Sequence, residues 1–247
     1  RQRQMCIRDS AYSLRCVAQM MGGTKRAIKE AYISVTEELN SCSDNPVIYP
    51  TGDGDGVALM GGNFDRAYLC IHMDALCIAM THLGKLVERR TDRLTNRHFS
   101  DYPPFLVKNP GLNSGFMITQ YTSAGLVAEM KVLSHPVSVD SIPTSANQED
   151  PVSFGFYASR KACEVAKKLE YLNAIELMTQ VQAMDFMEEG ELKHSPVIQA
   201  VYDLVRAKVP TVEKDRHFYP DIMDINELLV SGKVIDCAEE ISGKLKF

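Results

Sequence analysis

Tyr12 and Arg15 stand three residues apart in AYSLRC (Ala11–Cys16), which puts them on one face if the stretch is helical. An arginine can grip a carboxylate through two parallel hydrogen bonds, and a neighbouring phenol can exchange a proton or donate a hydrogen bond. A surface arginine beside a packed tyrosine is the plainer reading of the same pair. A second stretch, Asp140–Asp150, carries Thr144, Ser145, Asn147, Gln148 and Glu149 just ahead of an expected helix start. Taken plainly, Asp150 caps that helix and Glu149 favours the positive end of its dipole. Taken chemically, the stretch is a pocket wall with Glu149 aimed at a polar or cationic ligand. Met60-Gly-Gly-Asn-Phe64 is a glycine turn that lets the backbone bend tightly or approach something closely, or else a helix start capped by Asn63. Glu191-x-x-His194 matches half of a di-iron ligand pair. That site needs a second Glu-x-x-His and two further carboxylates, so no metal is expected.

The elements that must position these residues are long helices. One is expected from about Asp65 to Leu94, apolar nearly all round in its first half and narrowing to Leu83, Leu86, Val87 and Leu94 in its second. Tyr102-Pro103-Pro104 breaks it. Another should start near Asn113 or Ser114 and run to about Ser134, ahead of Pro136. The longest should begin at Asp150-Pro151 and continue to Gly190, roughly 55 Å at 1.5 Å per residue. Shorter helices are expected over Pro196–Lys208, Asp221–Leu229 and Val234–Lys244, and strand-like alternation only in pieces such as Val47-Ile48-Tyr49. The fold class is all-α, a bundle of long helices continued in an oligomer. Ser41–Pro46, Met60–Asp65 and Asp140–Asp150 interrupt it as polar loops, where function tends to sit.

Composition narrows the partners. The chain has 247 residues, 45% hydrophobic, enough for one large core or two small ones. Its net charge of -5, with basic residues adjacent only in short pairs such as Arg89-Arg90, offers no concentrated basic face for nucleic acid. No apolar run approaches the roughly 18–20 residues that span a bilayer, so no membrane role is expected. Seven scattered cysteines without C-x-x-C spacing fit reduced thiols in the cytoplasm, and Arg1–Ser10 lacks a secretory apolar stretch.

Together the polar stretches are less ambiguous than each is alone. AYSLRC, SDNPVI (Ser43–Ile48), GGNF (Gly61–Phe64), PPFLVKNPGLNSGFMI (Pro103–Ile118), HPVSVDSIPTSANQED (His135–Asp150) and the tail VPTVEKDRHFYPDI (Val209–Ile222) resemble, in order and spacing, the histidine and aromatic amino acid ammonia-lyase family. The likeness covers Ala11 to the C-terminus. It implies the C-terminal part of the family's fumarase/aspartase-like helical fold, a homotetramer with active sites built from several subunits, and a small amino acid substrate. The implied reaction removes ammonia from an L-amino acid to leave an α,β-unsaturated acid. The family's electrophile is a methylidene-imidazolone formed from an Ala-Ser-Gly tripeptide. By the same resemblance Arg15 would bind the substrate carboxylate, Tyr12 would sit at the reacting centre, Phe64 would line the pocket and Glu149 would contact an imidazole. Glu149 points to L-histidine and trans-urocanate, because a carboxylate facing a phenyl ring would lose its hydration without gaining a partner.

The sequence also departs from the family. It contains no Ala-Ser-Gly tripeptide, so this chain alone is expected to be inactive, a fragment of a protein about twice as long. Residues 1–10 do not resemble the family's preceding segment and are read as a non-native or scar segment, with Asp9 where the family has glutamine. Asp65-Arg66 follows GGNF where the histidine enzymes carry His-Gly. A phenylalanine or tyrosine ammonia-lyase, an aminomutase, and a non-catalytic helical scaffold therefore stand as alternatives.

Overall fold

The structure, a computed structural model, describes residues 11–187 and 194–246. Its order is α1 (Tyr12–Arg15), α2 (Val17–Leu39), β1 (Val47–Pro50), β2 (Gly56–Leu59), α3 (Ala67–Thr95), α4 (Met117–Leu133), α5 (Gly155–Met184), α6 (Pro196–Arg206), α7 (Tyr219–Val230) and α8 (Lys233–Ser242). Single 3-10 turns lie at Pro104–Leu106 and Ser145–Asn147. The all-α expectation holds, with one antiparallel hairpin pairing Val47 with Leu59 and Pro50 with Gly56. Two compact units share the long helices. One comprises Arg1–Val17, Gly84–Met130 and Lys167–Phe247; the other comprises Ala18–Leu83 and Lys131–Ala166.

In the second unit, the first half of α3 buries Cys70, Met73, Cys77 and Met80, and α5 contributes Ala158, Ala162 and Val165. Polar contacts fix α2 along α3. The Thr24 hydroxyl donates to the Ala79 carbonyl at 3.4 Å, Tyr68 donates to Glu38 at 2.5 Å, and Ser34 pairs with His72. Helix α2 is not marked by the periodicity of its sequence. Its glycines (Gly22, Gly23), its β-branched residues and the charges spread along it hide the periodicity that tertiary packing then enforces.

The first unit centres on Leu86, Leu106, Phe116, Met130, Leu172, Ile175 and Met178, all essentially inaccessible. Gly84 is required there by close packing: a Cβ would stand 2.9 Å from Met130 Cε and 3.3 Å from Leu172 Cδ1. Helices α6 and α7 both pack on α8. Buried Gln182 donates to the carbonyls of Leu106 and Val212, each at 3.0 Å, and accepts the Val212 amide. It thus satisfies the backbone of two loops that no helix serves. Arg90 and Glu176 form a bidentate pair between α3 and α5, where burial pushes the Glu176 carboxyl up despite the guanidinium.

Two helix starts fall later than expected. Helix α4 begins at Met117 because Asp215 takes the Ser114 and Gly115 amides at 2.8 Å each, holding those residues in a turn with Gly115 at φ +51°. Helix α5 begins at Gly155, and Asp150 does not cap it, because the chain before it is engaged elsewhere. Ser141 Oγ accepts the Val152 amide, and Ser153 donates to the Asp65 carbonyl. With 30 residues ending at Met184, α5 is about 45 Å long rather than 55 Å. Contrary to the expectation from apolar run length, Ala67–Thr95 is long and apolar enough by length and composition to cross a membrane; it buries Cys70, Cys77, Leu86 and Val87 and leaves Ile71 and Ile78 half-exposed.

Candidate active site

Tyr12 and Arg15 occupy the single turn α1, where the Ala11 carbonyl accepts the amides of Leu14 and Arg15. The Arg15 guanidinium lies 4.6 Å from the Tyr12 ring centre, a cation–π contact. At an exposed position such a contact contributes about 0.5–1 kcal/mol. The expected shared face is therefore real, and Tyr12 is not the packed tyrosine of the plainer reading: it is 68% exposed. Both residues belong to the first compact unit; Phe64 and Glu149 belong to the second.

Phe64 sits in a turn closed by the Asp65 amide on the Gly62 carbonyl. The stretches SDNPVI and GGNF meet here. Asn45 Oδ1 accepts the Gly61 amide at 3.4 Å, and Asn63 Nδ2 donates to the Cys42 carbonyl at 3.3 Å rather than capping a helix. The residue after Asp65 must turn left-handed, with Arg66 at φ +57°. That geometry explains why glycine suits the position. Arg66 holds it by pairing with Glu38 at 2.5 Å and donating to Ser43 at 3.0 Å. Phe64 is left half-exposed.

Glu149 ends a loop that folds back on itself. Thr144 and Glu149 exchange both backbone hydrogen bonds, at 3.0 and 3.3 Å. Between them Ser145, Ala146 and Asn147 run left-handed at φ +50°, +54° and +67°. Three consecutive non-glycine residues in that region cost about 1–2 kcal/mol each, so the surrounding contacts must impose the turn. The Thr144 hydroxyl donates to the Glu149 carboxylate. That bond, then one from Ser145, holds the exposed Glu149 carboxyl below its ordinary range, which keeps it ionised.

At the neck of the loop, Ser141 Oγ donates to the Asp150 carbonyl at 3.3 Å and accepts the Val152 amide at 2.8 Å. A cavity of about 300 Å³ lies against this neck, lined by Asp65, Cys70, Ser138, Asp140, Ser141 and Ser153 among others. Deeper in the second unit, Asp74 and Lys161 form a buried pair that sequence reasoning missed. One signal was available: Asp74 interrupts an otherwise apolar helix half. Of the Glu191-x-x-His194 pair, only His194 lies within the described residues, and Asp9 lies outside them.

Residues 2–207 match the model of the aromatic amino acid lyase family. The histidine ammonia-lyase of Deinococcus radiodurans is 46% identical over 94% of this chain, which covers 43% of that protein. Among solved structures, the histidine ammonia-lyase of Trypanosoma cruzi superposes with a TM-score of 0.87 at 42% identity, over 94% of this chain and 45% of that one. The tyrosine aminomutase of Streptomyces globisporus gives 0.86 at 34% identity, over 96% of this chain and 44% of that one. The chain thus spans a little under half the length of the relatives it matches, corresponding to their C-terminal half.

Proposed function

The chain belongs to the aromatic amino acid lyase family, and from that premise we propose that it is the C-terminal part of an enzyme removing ammonia from L-histidine to give trans-urocanate. The observation that carries the substrate choice is Glu149, an ionised carboxylate presented on a strained, exposed loop by Thr144. Such a group accepts a hydrogen bond from an imidazole N–H, whereas a phenyl ring would leave it desolvated without a partner. The histidine ammonia-lyases among the relatives support the same choice.

The remaining roles follow from side-chain chemistry. Arg15 would hold the substrate carboxylate in a bidentate grip, fixing the amino acid before reaction. Tyr12, beside it in α1, would hold or move the proton at the reacting carbon through its hydroxyl. Phe64 would cover the ring of the substrate and exclude water. No Ala-Ser-Gly tripeptide lies in these residues, so they cannot themselves form a methylidene-imidazolone. When present, contributed by another segment, that group would supply the electrophile that makes the amine a leaving group. This chain alone would not turn over substrate.

A homotetramer in the cytoplasm completes the proposal. Large apolar side chains such as Tyr32, Leu39, Leu112 and Phe156, between 72% and 88% exposed, call for cover by further protein. The described cysteines, all free thiols, suit a reducing compartment.

Asp65-Arg66 and the likeness to a tyrosine aminomutase support a second reading, a lyase or aminomutase acting on tyrosine or phenylalanine. An ultraviolet assay of the complete enzyme with L-histidine, L-phenylalanine and L-tyrosine in turn separates the two. Urocanate from histidine alone is expected, and Glu149→Gln should lower kcat/KM for histidine by about 100-fold or more. Cinnamate, coumarate or a β-amino acid as the main product would overturn the substrate choice.

A further inference from the structure

The loop that carries Glu149 is anchored from beneath. Asp74 lies on α3 with its side chain 4% exposed, and Lys161 lies on α5 at 5%. Lys161 Nζ donates to Asp74 Oδ1 at 2.9 Å and to the His135 carbonyl at 2.5 Å. Asp74 Oδ2 accepts the backbone amides of Val137 and Ser138, both at 2.8 Å. Three backbone groups of one short stretch therefore close on a single buried ion pair, at the point where the chain leaves α4 and enters the 140–150 loop. A buried pair is an expensive way to obtain stability, since apolar side chains of similar volume would serve as well or better. What it provides instead is a fixed geometry, because the ammonium and the carboxylate together hold one carbonyl and two amides of the 135–138 stretch in place.

The connection to Glu149 is continuous within this unit. From Ser138 the chain reaches Ser141, whose hydroxyl ties Asp150 and Val152 together and closes the neck. Above the neck stand the paired backbones of Thr144 and Glu149. Glu149 itself is exposed, and its backbone bonds to Thr144 lie within the loop. Its position is set by where the base of the loop is fastened.

We propose that Asp74 and Lys161 are positioning residues for the lyase reaction, acting through the loop base and Ser141 to place the Glu149 carboxylate against the substrate. The inference rests on the reading of Glu149 as a substrate contact.

A double-mutant cycle in the complete enzyme tests it, run on whichever of the three amino acids the wild type deaminates best. The neutral, volume-keeping pair Asp74→Asn/Lys161→Met is expected to lower kcat/KM by roughly tenfold to a hundredfold, the scale of a misplaced contact. In a Glu149→Gln background the same pair should cost less than about twofold, because the group it positions is already lost. Equal losses in both backgrounds would overturn the proposal, since a merely structural role does not depend on residue 149. Ser141→Ala, at the exposed neck, provides a second cycle should the buried pair impair folding, with the same coupling expected and the same additivity fatal. The two readings fail separately. The product of the wild type judges the substrate assignment, while the coupling judges Asp74 and Lys161.

Discussion

At the scale of single residues, the carboxylate of Glu149 is governed by Thr144. With that hydroxyl removed by Thr144→Val, the carboxyl should return towards its ordinary range. The ionised form is the useful one, so the acid limb of the kcat/KM profile for histidine should move to higher pH. A pH profile superimposable on that of the wild type would show that Thr144 does not govern the carboxylate. Arg66 poses the opposite question, because it occupies a left-handed position at φ +57°. Its half-exposed pairing with Glu38 contributes about 1 kcal/mol at most, while glycine would relieve about 1–2 kcal/mol of backbone strain. Arg66→Gly should therefore leave the thermal midpoint unchanged or raise it by a few degrees. A clear fall would mean that the Glu38 and Ser43 contacts outweigh the strain.

At the scale of elements, the turn before α4 depends on Gly115. At φ +51° a Cβ there would lie 2.5 Å from the Phe105 carbonyl and 2.7 Å from Val107 Cβ. Gly115→Ala should cost about 2–4 kcal/mol in denaturant unfolding, combining backbone strain with overpacking. The same turn marks where periodicity stopped being informative. Helices α3 to α8 were legible because their apolar residues repeat with helical spacing, and Pro196 and Gly232 mark a start and a boundary. The starts of α4 and α5 were not, because Asp215, about 100 residues away, and Ser141 capture the backbone amides in place of local caps. Tyr12 and Arg15 could be paired from spacing alone, and the loop holding Glu149 could be singled out by its density of polar side chains. The left-handed turn within that loop, and the ion pair beneath it, arise from contacts between distant segments, to which a short window of sequence is blind.

For the molecule as a whole, thiols report the integrity of the core. Burial pushes the Cys77 thiol up to about 11 from its ordinary 9.0. Its folded pKa lies above the unfolded one, so the contribution is complete below pH 9 and is lost as pH rises towards 11. The amount is on the order of 2–3 kcal/mol. Unfolding measured across that window should steepen in the wild type and flatten in Cys77→Ala. Alkylation of the folded chain at pH 8 should label exposed Cys42 and Cys163 while sparing Cys70 and Cys77. The two compact units carry a different consequence, one of time. The second unit is complete once Ala166 has been synthesised, whereas the first draws on residues from before Val17 and again from after Lys167. Within this chain the segment that holds α1 must therefore wait through about 150 residues of translation, several seconds or more, before the last segment of its unit begins to emerge. Throughout that interval α1, with Tyr12 and Arg15, belongs to a unit that is not yet complete.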